Sequence, residues 1–142
     1  MVLFLEDMLN EVVTSLADRF RWKYERQHGL VFIKVALDNQ RFQVVVCSVT
    51  DSPYGRCFCS ESVVGSWKKL RTSDLQELLL QNSTYLYAKI TLREARDGRE
   101  DIVVVGRTLA QSWDPREIAT VILEVAEVAD QLEQKYFVVD YY

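Results

Sequence analysis

Histidine is almost missing from this chain: His28 is the only one in 142 residues. Hydrolysis by a serine or cysteine nucleophile usually needs a base, most often histidine. His28 stands beside Gly29, where a turn is expected, so no nucleophile–base pair can be assembled. The five glycines are scattered singly. They form no phosphate-cradling loop, no G-x-G-x-x-G and no G-x-S-x-G, which argues against nucleotide chemistry. No apolar run approaches the ~20 residues that span a bilayer. The opening Met1-Val-Leu-Phe-Leu5 meets Glu6 and Asp7 at once and has no basic leader, so it is not read as a signal peptide. Three cysteines are an odd number without the spacing of a disulfide framework, which suits a reducing cytosol. Repeats, low-complexity segments and long linkers are also lacking. Residues 1–142 are therefore expected to form one cytoplasmic domain.

What is present is ordinary globular material, 49% hydrophobic and 27% charged, with net charge −4. That sign argues against a dedicated nucleic-acid binder, which usually needs a basic face. The strongest local signal lies near the end. Asp114 suits a helix N-cap, Pro115 the first helical position, and Glu117 a reach back to the cap. Apolar residues then recur at Ile118, Ile122, Val125, Ala129, Leu132 and Tyr136, widened by Val121, Ala126 and Val128. A stripe this broad fits flat packing on a sheet. Glu124, Glu127, Asp130 and Glu133 are expected to face water on the other side.

Upstream, residues 3–20 carry a helical stripe through Leu5, Met8, Leu9, Val12, Val13, Leu16 and Phe20. A basic patch follows at Arg19, Arg21, Lys23 and Arg26. Residues 30–37 and 41–50 alternate as a hairpin turning at Asp38-Asn39-Gln40. Ser52-Pro53-Tyr54-Gly55 turns again into a third strand, residues 56–67. Thr72 or Ser73 is expected to cap a second helix, with Gln76 behind Ser73 and apolar Leu75, Leu78, Leu79 and Leu80. Residues 85–93 read as a strand, with Leu86, Ala88, Ile90 and Leu92 on one face. Asp97-Gly98 signals a two-residue hairpin into a strand over 101–108. The fold class is thus α+β: helix, three strands, helix, two strands, helix. A mostly antiparallel five-stranded sheet should carry the first and last helices on one face. Segments 31–37, 44–49 and 102–105 are apolar on both faces, so the second face should also be covered, by helix 75–82 or by a second subunit.

The stretch Leu75-Gln-Glu-Leu-Leu-Leu-Gln-Asn82, then Tyr85-Leu-Tyr-Ala-Lys89 and the hairpin around Arg96-Asp-Gly98, resembles the YbjN-like family. More broadly, the order of elements resembles the type III secretion chaperone-like fold. Residues 52–59 and the tail Val138-Val-Asp-Tyr-Tyr142 match nothing diagnostic. The resemblance implies a small bacterial cytosolic protein that is not an enzyme and binds another polypeptide, often as a homodimer, with no cofactor. It also carries a label of sensory transduction regulation, which names no mechanism.

Four constellations remain. Cys57-Phe58-Cys59 places two thiols on one strand face, with Cys47 expected beside them across the ladder. Small core residues, a redox pair and a metal site are all open, and C-x-C without a fourth ligand is a weak metal signal. Glu94, Asp97, Glu100 and Asp101, interleaved with Arg93, Arg96 and Arg99, read as a solvated hairpin. Between Arg19 and Arg41 six bases stand against two acids, net +4, with Trp22, Tyr24 and Phe32 among them. That suits a charged strand edge, an acidic partner or single-stranded nucleic acid. Between Asp114 and Lys135 the balance is −4. Trp67 and Trp113 stand at element ends, where tryptophan plugs a core rim or meets a partner.

The expected function is a non-enzymatic, chaperone-like or regulatory protein-binding module, a homodimer without membrane contact. Its partner-binding residues would be Trp67, Leu75, Leu78, Leu79, Asn82 and Tyr85, together with apolar residues of the sheet face. The alternative is a regulator responding to a small molecule in a pocket between sheet and helices, or to oxidation at Cys57 and Cys59.

Overall fold

The structure, a computed structural model, describes residues 2–109 and 114–137, with all their side chains except those of residues 2–6 and Asn39. Trp113 and the tail 138–142 lie outside the described residues. Helix α1 (Val2–Phe20) leads into β1 (Lys23–Gln27), β2 (Leu30–Ala36), β3 (Phe42–Ser52) and β4 (Gly55–Ser66). Helix α2 (Thr72–Leu80), β5 (Ala88–Glu94), β6 (Glu100–Leu109) and α3 (Pro115–Leu132) follow. All six strands form one antiparallel sheet in the order β1-β2-β3-β4-β6-β5. The α+β class and the covering helices stand as expected, but the sheet has six strands and not five.

The extra strand is β1, the basic patch of the sequence. Its residues Lys-Tyr-Glu-Arg-Gln show no apolar alternation because an edge strand packs little, and charge there discourages pairing with other chains. It is reached by a sharp reversal: Arg21 adopts φ 61°, and Trp22 donates its N–H to the Ala17 carbonyl at 2.8 Å, a left-handed helix ending. His28 and Gly29 both take positive φ, 52° and 77°, and join Gln27 to its partner Leu30. This is the tight two-residue hairpin that the sequence pattern predicts at Asp97-Gly98. At Asp97-Gly98 the loop has three residues instead. Ala95 donates to the Arg99 carbonyl, Gly98 donates to the Ala95 carbonyl, and Gly98 takes the left-handed position at φ 86°.

One face of the sheet meets the helices. Val31, Ile33 and Val35 of β2, Val45 and Cys47 of β3, Phe58 of β4, Ile102 and Val104 of β6 and Ile90 of β5 are all buried there. Against them lie Leu9, Val13, Leu16 and Ala17 of α1 and the expected stripe of α3 from Ile118 to Leu132. Helix α3 settles close to the sheet at Gly106, where an added Cβ would stand 2.7 Å from Val125 and 2.8 Å from Val121. Only glycine admits that approach.

Asp114 caps α3 as expected, accepting from the Arg116 N–H at 3.0 Å, with Pro115 in the first turn. Glu117 does not reach back; it accepts from the Thr108 hydroxyl on β6. The second helix also starts differently. Its N-cap is Arg71, whose N–H donates to Asp74 at 3.3 Å, so neither Thr72 nor Ser73 plays that part.

The expected water-facing acids of α3 need the largest correction. Glu127 is exposed, but Asp130 is buried and Glu124 and Glu133 are half-buried. Asp130 accepts from Arg41 Nε at 2.7 Å and Gln134 Nε2 at 2.6 Å, and Glu133 accepts from the buried Gln43 amide at 2.7 Å. These acids flank the apolar stripe and bend down to the sheet. Helical periodicity alone does not separate the flank of a stripe from its back.

Candidate functional site

All three helices serve the same side of the sheet. Leu78 of α2, fully buried, joins the core built by α1 and α3, while the buried residues of the other face, Cys59, Val103 and Val105, have no helical neighbour in their cluster. Helix 75–82 therefore does not cover the second face, contrary to one of the two expectations. Among the described residues no helix lies over that face; Cys59 and Val103 at its centre are 1% exposed, and it is open at Phe42, Val44 and Val63.

Strand register sets its rows. Phe32 of β2 stands opposite Val46, which stands opposite Glu61, then Val105, then Lys89. Beside it Lys34 stands opposite Val44, and Val63 stands opposite Val103, which stands opposite Thr91; Val44 and Val63 border one cleft. Phe42, Val44 and Val63 are 49%, 47% and 54% exposed. The sequence signal for this surface is the apolar character of strands 31–37 and 44–49 on both faces; apolar sheet-face residues are expected as partner contacts, but the sequence does not single out these three. Lys34 places its ammonium 3.9 Å from the centre of the Phe42 ring. Clefts of about 650 Å³ and 430 Å³ lie at the two ends of the sheet, the first by Lys23, Phe32 and Val44, the second by Lys89, Arg93 and Arg107.

The residues expected to bind a partner are not gathered at one site. Leu78 is core. Leu75, Trp67 and Tyr85 are partly buried against that core, and the Tyr85 hydroxyl bonds Gln81 at 2.9 Å. Leu79 is 38% exposed, and nearby Leu80 and Leu86 are 77% and 71% exposed. Asn82 turns inward to the edge of β5, bonding the N–H and carbonyl of Ile90. Beside it, Glu124 accepts from the N–H groups of Leu86, Tyr87 and Ala88 at 2.6 to 2.9 Å. Burial acts to raise that carboxyl, but the three backbone donors outweigh it and hold it below the ordinary range. On β1, at the other end of the sheet, the outward backbone groups meet no such side chain among the described residues.

The cysteines separate. Cys57 and Cys59 share the open face, as expected, but Cys47 is paired with Ser60 and points into the helix-covered core. The alternation of side chains along β4 puts Cys59 on one side and Ser60 on the other. All three are free and buried. Burial pushes the Cys47 thiol up to about 12 and raises Cys59 as well. Such thiols are poor nucleophiles at neutral pH. Among the described residues no three His, Cys, Asp or Glu side chains are placed to hold a metal ion. No helix among them is long and apolar enough to cross a membrane.

No protein-family model matches the sequence, and no curated protein does either. Solved structures do. A chain of the ExsC–ExsE complex superposes with a TM-score of 0.61 over 99% of this chain and 98% of its own, at 10% identity. The fold is the one expected from the order of elements. YbjN from E. coli also matches, with a TM-score of 0.57 over 88% of this chain and 91% of its own, again at 10% identity. At that identity the likeness establishes the type III secretion chaperone-like and YbjN-like fold, and the geometry above must carry the function.

Proposed function

We propose that this protein is a non-enzymatic, chaperone-like module that binds another polypeptide on the helix-free face of its sheet. One observation carries the reading: Phe42, Val44 and Val63 stand about half exposed around one cleft on a six-stranded sheet whose other face holds the three described helices. Sheets with apolar residues on both faces are normally covered on both. In the similar ExsC–ExsE complex a chain of this fold belongs to an assembly of two different polypeptides, which supports a protein partner. We place the protein in a bacterial cytoplasm and read it as a homodimer. For the dimer contact, Leu79, Leu80 and Leu86 are exposed apolar residues close in the chain to Tyr85 and Asn82, so the second helix keeps a part in the proposal.

The test compares affinity-tagged wild type with Val63→Asp and Leu80→Asp, each checked for native circular dichroism. Polypeptides captured from the native cell extract and the mass in solution are recorded. A stoichiometric polypeptide lost with Val63→Asp supports the sheet-face reading, and halved mass with Leu80→Asp supports the dimer contact. A captured set unchanged by Val63→Asp removes the sheet face from the proposal.

A further inference from the structure

The charge of the open face differs in sign from that of the protein. Register and alternation place Lys23, Lys34, Lys89, Arg93 and Arg107 on it. The acids there are Glu25, Glu61 and Asp101. Five bases against three acids give +2, whereas the whole chain carries −4, which leaves −6 for everything else. Of the acids, Glu61 is already occupied: Arg93 grips it with both terminal nitrogens, at 2.8 and 3.0 Å. Lys34 is held over Phe42, and Lys89 reaches the carbonyls of Asn82 and Tyr85, so neither cation is neutralised by a carboxylate. The centre is apolar apart from the Glu61–Arg93 pair, and the flanks are cationic.

We infer that the open sheet face docks an amphipathic acidic helix of a partner polypeptide, its apolar side on Val44, Val46 and Val63 and its carboxylates toward Lys34 and Arg107. This rests on the polypeptide-binding reading above and adds the chemistry of the partner. A helix of about 16 residues is ~24 Å long, the width of six strands spaced ~4.8 Å apart. A second copy laid face to face would set two cationic surfaces against each other, which charge disfavours. A single-stranded nucleic acid would share the attraction to cations, but it binds through stacking on open aromatic rings. Here valines dominate the centre, and the Phe42 ring is occupied by Lys34. An acidic helix satisfies both the valines and the cations.

The experiment uses the full chain and three labelled probes read by fluorescence anisotropy. The first is a helical peptide of about 16 residues with Leu and Phe on one side and Glu on the other. The second has Lys in place of each Glu, and the third is single-stranded oligo(U). The Glu peptide is expected to bind about tenfold or more tightly than the Lys peptide and to weaken as salt is raised. Lys34→Glu with Arg107→Glu should remove that preference; Lys34→Ala with Arg107→Gln serves if the reversal fails to fold. If both peptides bind equally and both are lost with Val63→Asp, the acidic preference is overturned while the polypeptide-binding reading stands. Oligo(U) binding above either peptide, or no binding of any probe, overturns the inference. The capture experiment then judges the broader reading separately.

Discussion

Asn82 lies against Ile90 as a neighbouring strand would: its amide nitrogen donates to the Ile90 carbonyl at 3.0 Å, and its amide oxygen accepts from the Ile90 N–H at 2.6 Å. One side chain thus satisfies two outward-facing groups of an edge strand, the kind of exposed ladder that otherwise recruits other chains. Asn82→Ala is expected to cost about 2 kcal/mol, measured by urea unfolding, and to raise light scattering on gentle heating. Asn82→Asp keeps the acceptor only and should fall between wild type and alanine. An unchanged midpoint for Asn82→Ala would show that water replaces the side chain without loss.

Glu124 and Glu133, nine positions apart on one helix run, should respond to pH with opposite sign. The Glu124 carboxyl is held below the ordinary value of 4.5, so its contribution is present above that value and is lost as pH falls through the lowered one. Burial raises Glu133 above 4.5, against the opposing bond from Gln43, so its charge costs stability as pH rises through the raised value. Glu124→Gln should therefore destabilise at pH 7 and converge on wild type in acid. Glu133→Gln, which keeps an acceptor for Gln43, should be neutral or stabilising at pH 7. Denaturant midpoints between pH 3 and 8 decide both, and parallel curves for the two variants would contradict the assignment.

Gly106 gives a packing test. Its replacement by alanine drives a methyl into Val121 and Val125 and should cost about 1–3 kcal/mol. Val121→Ala in the same chain should restore part of that loss, a coupling that a double-mutant cycle measures. Simple additivity would mean that α3 lifts away as a body.

The thiols should be silent in the folded protein. Cys47 and Cys59 are expected to react with a disulfide reagent only after denaturation, with Cys47 the slower in the native state, because burial holds both protonated. Rapid native labelling of Cys59, or an oxidant-induced bond between Cys57 and Cys59, would favour the redox regulator over the binding module.

Leu78 and Leu80 separate core from surface within one short helix. Leu78→Asp should abolish folding, since the side chain is fully buried, whereas Leu80→Asp should retain the wild-type circular dichroism spectrum.

Strong periodicity makes much of the fold legible. Helix α3 is readable from Asp114 onward because cap, proline and stripe agree, and β2 and β3 because their alternation is long. Strand β1 is not, since only Tyr24 in Lys23–Gln27 is apolar and its strand identity comes from pairing with β2. The open face is half legible. Valines on both sides of β3 declare two apolar surfaces, but whether α2 lies over the second depends on where Leu78 points, a tertiary fact. Asn82 and Glu124 are polar residues at solvent-compatible positions, and nothing in their spacing announces that they bond the same strand, 42 positions apart in the chain.

The two ends of the sheet are finished differently, and this limits how the protein can assemble. At β5 the N–H groups of residues 86–88 and both backbone groups of Ile90 are taken by Glu124 and Asn82, leaving too short a stretch for another strand to grip. At β1 nothing comparable intervenes among the described residues. The charged side chains of Lys23, Glu25 and Arg26 guard that end instead, so the two edges oppose growth into a filament by different means, one by occupied backbone groups and one by charge.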